Sequence, residues 1–436
     1  MSPHAEVTSR TVAAGPGDRG EPLGALIDLV GPPDHDGPPD HDGPPDHDGP
    51  RRRPPRSRRR RIMLWILAVL GLVLAVPAFS LLQALRAPGN LTATEKTVEW
   101  MRDHDLGPVV NSVERWWFSN HQPKEGGEPD RAIGIEAPPD PSTGSTNAAP
   151  DKPAIAVTAK PADVAVPDGL TPLAGEGVWQ PVGPQTDGAS TMYATQVRPD
   201  AIHSSLLDGL VWMDPKLARF EVHPGLQEPG GAWPTPPKVP LDSRLALIGA
   251  FNGGFRMQDA KGGIFLDGKT PNPLRDRAAS FVVTRDGVAT VGQWGRDVSM
   301  TSNVVAVRQN LDLIVDGGQP EAGLDDNANG KWGATLGSKV LVWRSAVCVD
   351  VNGGIIYGYG DGLGALSLAE LMTRAGCQRA MELDINPSWT SFNFYGAQTP
   401  GDPASVIGTK LLPDQHKPAS RYLNDDSRDF VAVFKR

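Results

Sequence analysis

A chain of 436 residues is longer than one domain needs on a prior of about 150 residues per domain. Its 39% hydrophobic content excludes disorder throughout, and a formal net charge of −9 argues against nucleic acid as a partner. The charge is uneven, however: residues 1–50 hold ten acids against two arginines, and residues 51–61 hold eight arginines.

The first segment, 1–61, reads as a disordered cytoplasmic tail. Pro-Pro-Asp-His-Asp-Gly occurs three times in it, from Pro32, Pro38 and Pro44. Prolines and like charges prevent a packed core. The Asp-His-Asp repeats offer a weak Zn²⁺ or Ni²⁺ site, but nothing fixes ligand geometry, and an acidic linker is the favoured reading. Ile62 to Leu85 follows, 24 residues without a charge. That length spans a hydrocarbon layer of about 30 Å as a helix. With the arginines on its N-terminal side, the expected topology is a single pass through the plasma membrane, N-terminus cytoplasmic and residues 86–436 outside.

Residues 86–120 are expected to form a juxtamembrane helical stalk. Thr92 and Glu95 have the spacing of a capping box, and Gly107-Pro108 breaks the helix. Trp116-Trp117-Phe118 either lies at the membrane interface or packs the stalk. Residues 121–169, rich in Pro, Gly, Ser and Thr, read as a linker.

From residue 170 to 436 short apolar runs alternate with Gly and Asp turns. Strands are expected at 191–197, 210–213, 219–222, 246–251, 279–284, 304–307, 311–315, 340–343, 346–350, 354–359 and 430–434. One helix is expected over Ser367–Ala375, closed by Gly376. The fold class is α+β: a strand-rich, mixed or antiparallel sheet domain with few helices. Cys348 and Cys377 are the two cysteines. Outside the membrane they form either a disulfide or two buried thiols, and the sequence leaves both open.

Three stretches point to chemistry. In Asn252-Gly253-Gly254 an amide donor and acceptor precedes two glycines that permit close approach of a ligand; a hairpin turn is the competing reading. Arg344 stands just before an uncharged run and suits phosphate or carboxylate, or an edge salt bridge. In Met381–Trp389 a strand runs into a Pro-broken turn. Strand alternation puts Glu382, Asp384 and Asn386 on one face, with the two carboxyls about 6–7 Å apart. A converging carboxylate pair is what glycoside cleavage uses.

In order, Asn-Gly-Gly-Phe255, Leu311–Gly318, Arg344–Asp350, Gly364–Leu371 and Met381–Asp384 resemble the phosphodiester glycosidase family over roughly 200–434. The resemblance implies a site containing Asn252, Gly253, Gly254 and Arg344, with Asp384 as central carboxylate and Ser388 on the serine of the family's D-G-G-G-S. Ile385-Asn386-Pro387 stands where the family has three glycines, and Glu382 where it has Asn. Taken with the expected membrane span and the extra acid at Glu382, the resemblance leads to the expectation of a membrane-anchored exterior hydrolase. It would cleave the glycosidic bond to a phosphodiester-linked sugar on a cell-envelope glycan, with Asp384 as base or nucleophile and Glu382 as acid. Arg344 would clamp phosphate, with Asn252, Asn386 and Ser388 contacting substrate. The alternative is a non-catalytic glycan-binding or scaffolding module, expected to show an open groove of Trp389, Phe392 and Phe394.

No metal or cofactor is required by that chemistry. Asp325, Asn327 and Asn329 have the spacing that opens a calcium loop and offer a weak exterior Ca²⁺ site, with a polar surface loop as the favoured reading.

Overall fold

The structure is a computed structural model that describes residues 56–138, 157–186, 189–327, 331–332 and 340–436. The Pro-Pro-Asp-His-Asp-Gly repeats, residues 139–156 of the expected linker, and Asn329 lie outside the described residues.

Helix α1, Arg56–Arg86, contains the uncharged run and carries Pro77 inside it. Among the described residues it is the one helix long and apolar enough to cross a membrane, and none of its apolar window is buried. Residues Leu70–Arg436 form one compact unit. Within it α2 covers Ala93–Asp103 and α3 covers Gly107–Asn120. The α2 terminus forms the expected capping box: Thr92 Oγ1 accepts from Glu95 N, and Thr92 N donates to Glu95 Oε2. Pro108 sits in the first turn of α3, where its missing N–H costs nothing.

The sheets beyond this point are built from short antiparallel strands. The largest sheet has eight, in the order 180–186, 189–197, 208–213, 355–363, 342–350, 377–382, 313–316 and 319–320. Two five-stranded sheets run 269–272, 264–266, 304–309, 279–284, 289–293, and 406–410, 392–397, 247–252, 430–435, 218–223. All these pairs are antiparallel. The fold is α+β and strand-rich.

Two departures from expectation bear on the site. The strands expected at 340–343 and 346–350 are one continuous strand, Val342–Asp350, so Arg344 lies inside it. Its charge does not interrupt the ladder because Glu382 neutralises it from the next strand. The strand expected to carry residues 381–386 ends at Glu382. The strands missed by apolar patterning, such as Lys269–Asn272 and Gln180–Thr186, are poor in apolar residues or carry proline.

The main core lies between the sheets, where Phe251, Phe281, Val347, Tyr357, Met381 and Phe392 pack together. A second core covers the other face of the eight-stranded sheet. There α4, Ala365–Arg374, lays Leu368, Leu371 and Met372 on Leu210, Ala346, Cys348 and Ala380. Each such side chain contributes roughly 1.5–3 kcal/mol when fully buried. Cys348 and Cys377 are joined as a disulfide with their Cα atoms 5.7 Å apart, on neighbouring strands of this second face.

The regions expected as stalk and linker lie against the domain. Glu95 pairs with Lys417 at 2.6 Å, and Glu99 and Asp103 both pair with Arg256. Phe118 packs on the cluster of Phe255, Leu311, Val342 and Ile385. From the expected linker, Thr158 N donates to Asp214 and Val164 N to Gly177.

Candidate active site

The site is created where the strand 377–382 stops. Alternation holds as far as Glu382, which stands opposite Ala346. Then Leu383 N donates to Ser345 O while Ser345 N donates to Asp384 O. Two residues face one, the pattern of a β-bulge, and a bulge reverses which side the following residues face. Glu382 and Asp384 therefore part company, although two-residue spacing along a regular strand puts them on one face.

Glu382 stays on the α4 side. It is fully buried, and its Oε1 accepts a hydrogen bond from Arg344 Nη1. Arg344 Nε donates to Leu363 O at 2.8 Å, so this guanidinium is held from two directions. Burial pushes the Glu382 carboxyl above the usual range, opposed by the charge of Arg344. Its Oε2 has no hydrogen-bond partner.

Asp384 faces a cavity of about 260 Å³. One wall is Asp384, Ile385, Asn386, Trp389, Arg256 and Arg428; the other is α2 and α3, through Glu99, Arg102, Glu114 and Phe118. Asp384 Oδ1 accepts the N–H groups of Ile385 at 2.8 Å and Asn386 at 3.0 Å. Its Oδ2 lies 3.5 Å from Arg428 Nη2. Burial pushes the Asp384 carboxyl up to about 7, against the charge of Arg428 and those two backbone donors. Glu99, across the cavity on α2, adds to the upward shift as a like charge.

Arg428 is the site's buried cation. Its side chain is 4% exposed and stacks over the Trp389 ring at 4.8 Å. Its Nη2 donates to Gly254 O at 3.2 Å, while Nε is buried without a partner. Its neighbours in sequence are committed elsewhere: Asp426 pairs with Arg421 and Asp429 with Arg308. Asp429 also explains Gly253, where a Cβ would stand 2.1 Å from Asp429 Oδ2. Gly254 has φ +145°, a conformation other residues rarely adopt, which brings its carbonyl to Arg428.

Asn252 lies one layer behind the cavity. Its Nδ2 donates to Ser345 Oγ, and its Oδ1 accepts from Tyr357 OH at 2.7 Å. Ser345 Oγ in turn accepts Asp384 N at 3.2 Å. Asn252 thus fixes the backbone that carries Asp384. Asn386 lines the cavity, and its Oδ1 accepts Ser388 N, closing the turn around Pro387. Phe392 and Phe394 are fully buried, so they form no open groove.

The cavity therefore gathers Asp384 and Asn386 from the expected set. Asn252 and the Gly253–Gly254 pair support it from behind. Glu382 and Arg344 are outside its lining, bound to each other. Arg428, Arg256 and Glu99 were not singled out from the sequence. The one signal for Arg428 was its place in Asp425-Asp426-Ser427-Arg428-Asp429, a cationic residue in an acidic run. Among the described residues no group of three or more His, Cys, Asp or Glu is placed to hold a metal ion.

Residues 246–401 match the family model described as phosphodiester glycosidase. No curated protein matches the chain. Among solved structures, the chain is similar to a zebrafish N-acetylglucosamine-1-phosphodiester alpha-N-acetylglucosaminidase catalytic domain auto-inhibited by pro-peptide. The identity is 15%, over 63% of this chain and 87% of that one, with a TM-score of 0.35. It is also similar to a hypothetical protein from Synechocystis, at 14% identity over 57% of this chain and 63% of that one, TM-score 0.33.

Proposed function

We propose that this chain, whose residues 246–401 match the phosphodiester glycosidase family, is a membrane-anchored exterior hydrolase. It acts on a sugar whose anomeric oxygen is held in a phosphodiester, on a cell-envelope glycan. The observation that carries the reading is a carboxyl poised near neutrality beside a buried, incompletely satisfied arginine in one cavity. The anchor is α1, with the arginines at 58–61 on its N-terminal side and therefore cytoplasmic. The Cys348–Cys377 disulfide suits an oxidising exterior.

In this reading ionised Asp384 takes a proton from water as the water oxygen bonds to the anomeric carbon. The bond from that carbon to the phosphate oxygen breaks, and the electron pair leaves with the phosphomonoester. A phosphomonoester leaves as an anion and needs its charge met more than it needs a proton. Arg428, with Arg256 beyond it, lines the cavity and meets that charge. The phosphate role expected of Arg344 thus passes to Arg428. Glu99 and Glu114, which line the cavity, stand as candidates for the second carboxylate in place of Glu382. Trp389 gives the sugar an apolar face beside Arg428.

The test is release of free sugar from a panel of sugar 1-phosphodiesters by the full chain in detergent. Turnover that vanishes in Asp384→Asn supports the reading; undiminished turnover removes Asp384 from the mechanism. A second reading, a non-catalytic glycan-binding module, is favoured by one fact: the expected acid Glu382 is tied up by Arg344. It predicts saturable binding of the same compounds with no sugar released.

A further inference from the structure

Helix α3 turns one side to the protein and leaves an apolar side exposed. Its inner side carries Asn111, Glu114 and Phe118 to the cavity. Its outer side carries Val109, Val113, Trp116 and Trp117, which are 50%, 59%, 63% and 51% exposed. Spacings of four from Val109 to Val113 and from Val113 to Trp117, and of three from Val113 to Trp116, place these four on one stripe of a helix. Trp117 stacks on His121 of the following turn, and the two tryptophan rings are tilted to each other with centroids 6.5 Å apart. Such a stripe on an otherwise polar surface marks an interaction site rather than scattered surface apolarity.

Its position says what the partner is. Helix α2 is bound to the C-terminal turns of α1. Trp100 Nε1 donates to Ser80 Oγ at 3.0 Å, and Lys96 Nζ donates to Leu85 O at 3.1 Å and Ala87 O at 2.6 Å. Arg102 then ties α2 to α3 through Glu114 at 2.8 Å. The stripe is thereby held beside the end of the apolar run that stops at Leu85. Tryptophan with an apolar stripe, at the level where a membrane span ends, is the chemistry of the bilayer interface.

We infer that α3 rests in the outer bilayer interface through Val109, Val113, Trp116 and Trp117, and that its cavity takes lipid-linked glycosyl phosphodiesters. A helix is about 10–12 Å across. Groups on its inner side thus stand about one helix diameter from the interface, within reach of a phosphodiester whose lipid chain stays in the same membrane. This inference rests on the hydrolase reading for its substrate and on α1 as a membrane span for its partner.

The described cysteines are both in the disulfide, so Val113→Cys adds a single thiol that takes an environment-sensitive fluorophore. In full chain reconstituted in phospholipid nanodiscs, its emission is expected to shift to the blue and to be quenched by lipids brominated on their acyl chains. Quenching by iodide in the aqueous phase instead means that the stripe faces water, and quenching by neither agent that protein covers it; either result overturns the bilayer contact. The second arm compares turnover of a prenyl-linked and a water-soluble sugar phosphodiester by Trp116→Ser/Trp117→Ser. A tenfold or greater loss on the lipid-linked compound, with the soluble one within twofold, supports the inference. Equal losses on both, or no loss on either, overturn it. If the unaltered chain turns over neither compound, the hydrolase reading and the substrate assignment fall together, while the fluorophore arm still decides the bilayer contact.

Discussion

Two buried arginine–carboxylate pairs lie on opposite sides of one β-bulge, and they differ in whether the cavity reaches them. Arg344 and Glu382 form a direct hydrogen bond among α4 and the eight-stranded sheet, and Arg344 also donates to Leu363 O. Arg428 and Asp384 stand 3.5 Å apart at a cavity, with Arg428 Nε unpaired and Asp384 near neutrality in its proton affinity. The first pair lies outside the cavity lining and holds two strands together, with Glu382 Oε2 left without a partner. The second is held apart by its own neighbours: Gly254 O and the Trp389 ring position the arginine, while two backbone N–H groups hold the carboxylate. Charges kept close but not fully joined are available to a third group.

The sharpest way to break this comparison is to neutralise each acid in turn. Asp384→Asn keeps the size of the side chain and removes the proton acceptor. Sugar release is expected to fall about 10²–10⁴-fold with thermal stability unchanged or raised, since a buried, poorly paired charge is gone. Glu382→Gln is expected to do the reverse. It leaves Arg344 buried without a counter-charge, which costs about 3–5 kcal/mol of stability and is read by urea unfolding. Its kcat on the fraction that folds should change little. If Glu382→Gln abolishes turnover at full stability, the two pairs have been assigned the wrong way round.

A smaller effect is expected from Arg428→Lys. The lysine keeps the positive charge but loses the planar fork and the stacking on Trp389. Losing one charge-assisted hydrogen bond to phosphate corresponds to about 10–100-fold in KM, with kcat less affected. Arg344→Lys, by contrast, should leave KM alone. A matching rise in KM from Arg344→Lys would restore that residue to the site.

What the sequence made legible follows the same divide. Regular structure was readable where residues are apolar on a fixed period, as in Ala279–Thr284, Phe430–Lys435 and α4. The capping box of α2 was readable because its two side chains act within four residues. Asp384 and the glycines after Asn252 were readable from motif order, and family matching over 246–401 covers them. The bulge was not readable, because it depends on Ser345, 39 residues before Asp384, bonding two successive residues. A period-two reading therefore carried Glu382 into the cavity along with Asp384. Arg428 and the α2 wall were not readable for the same reason. Arg428 lies 44 residues from Asp384, and Glu99 approaches from beyond a long Pro-rich segment. Nothing local in the sequence marks α2 as the wall of a distant cavity.

The least effect in magnitude, and the most discriminating, is on pH. Asp384 titrates at about 7 in the folded protein against an ordinary 3.8. As base or nucleophile it must be ionised, so kcat/KM should rise through about pH 7 and level off above it. Arg428 opposes the upward shift, so removing its charge in Arg428→Gln should move that limb to higher pH, while Arg344→Gln should leave it in place. Stability must move in the opposite sense to activity. Between the unfolded and folded values the native state binds the extra proton, so this carboxyl contributes stability that is complete below pH 3.8. That stability is lost as pH rises through about 7. Asp384→Asn should flatten this part of the stability profile. A limb that stays near pH 7 in Arg428→Gln would mean that the titrating group is not Asp384.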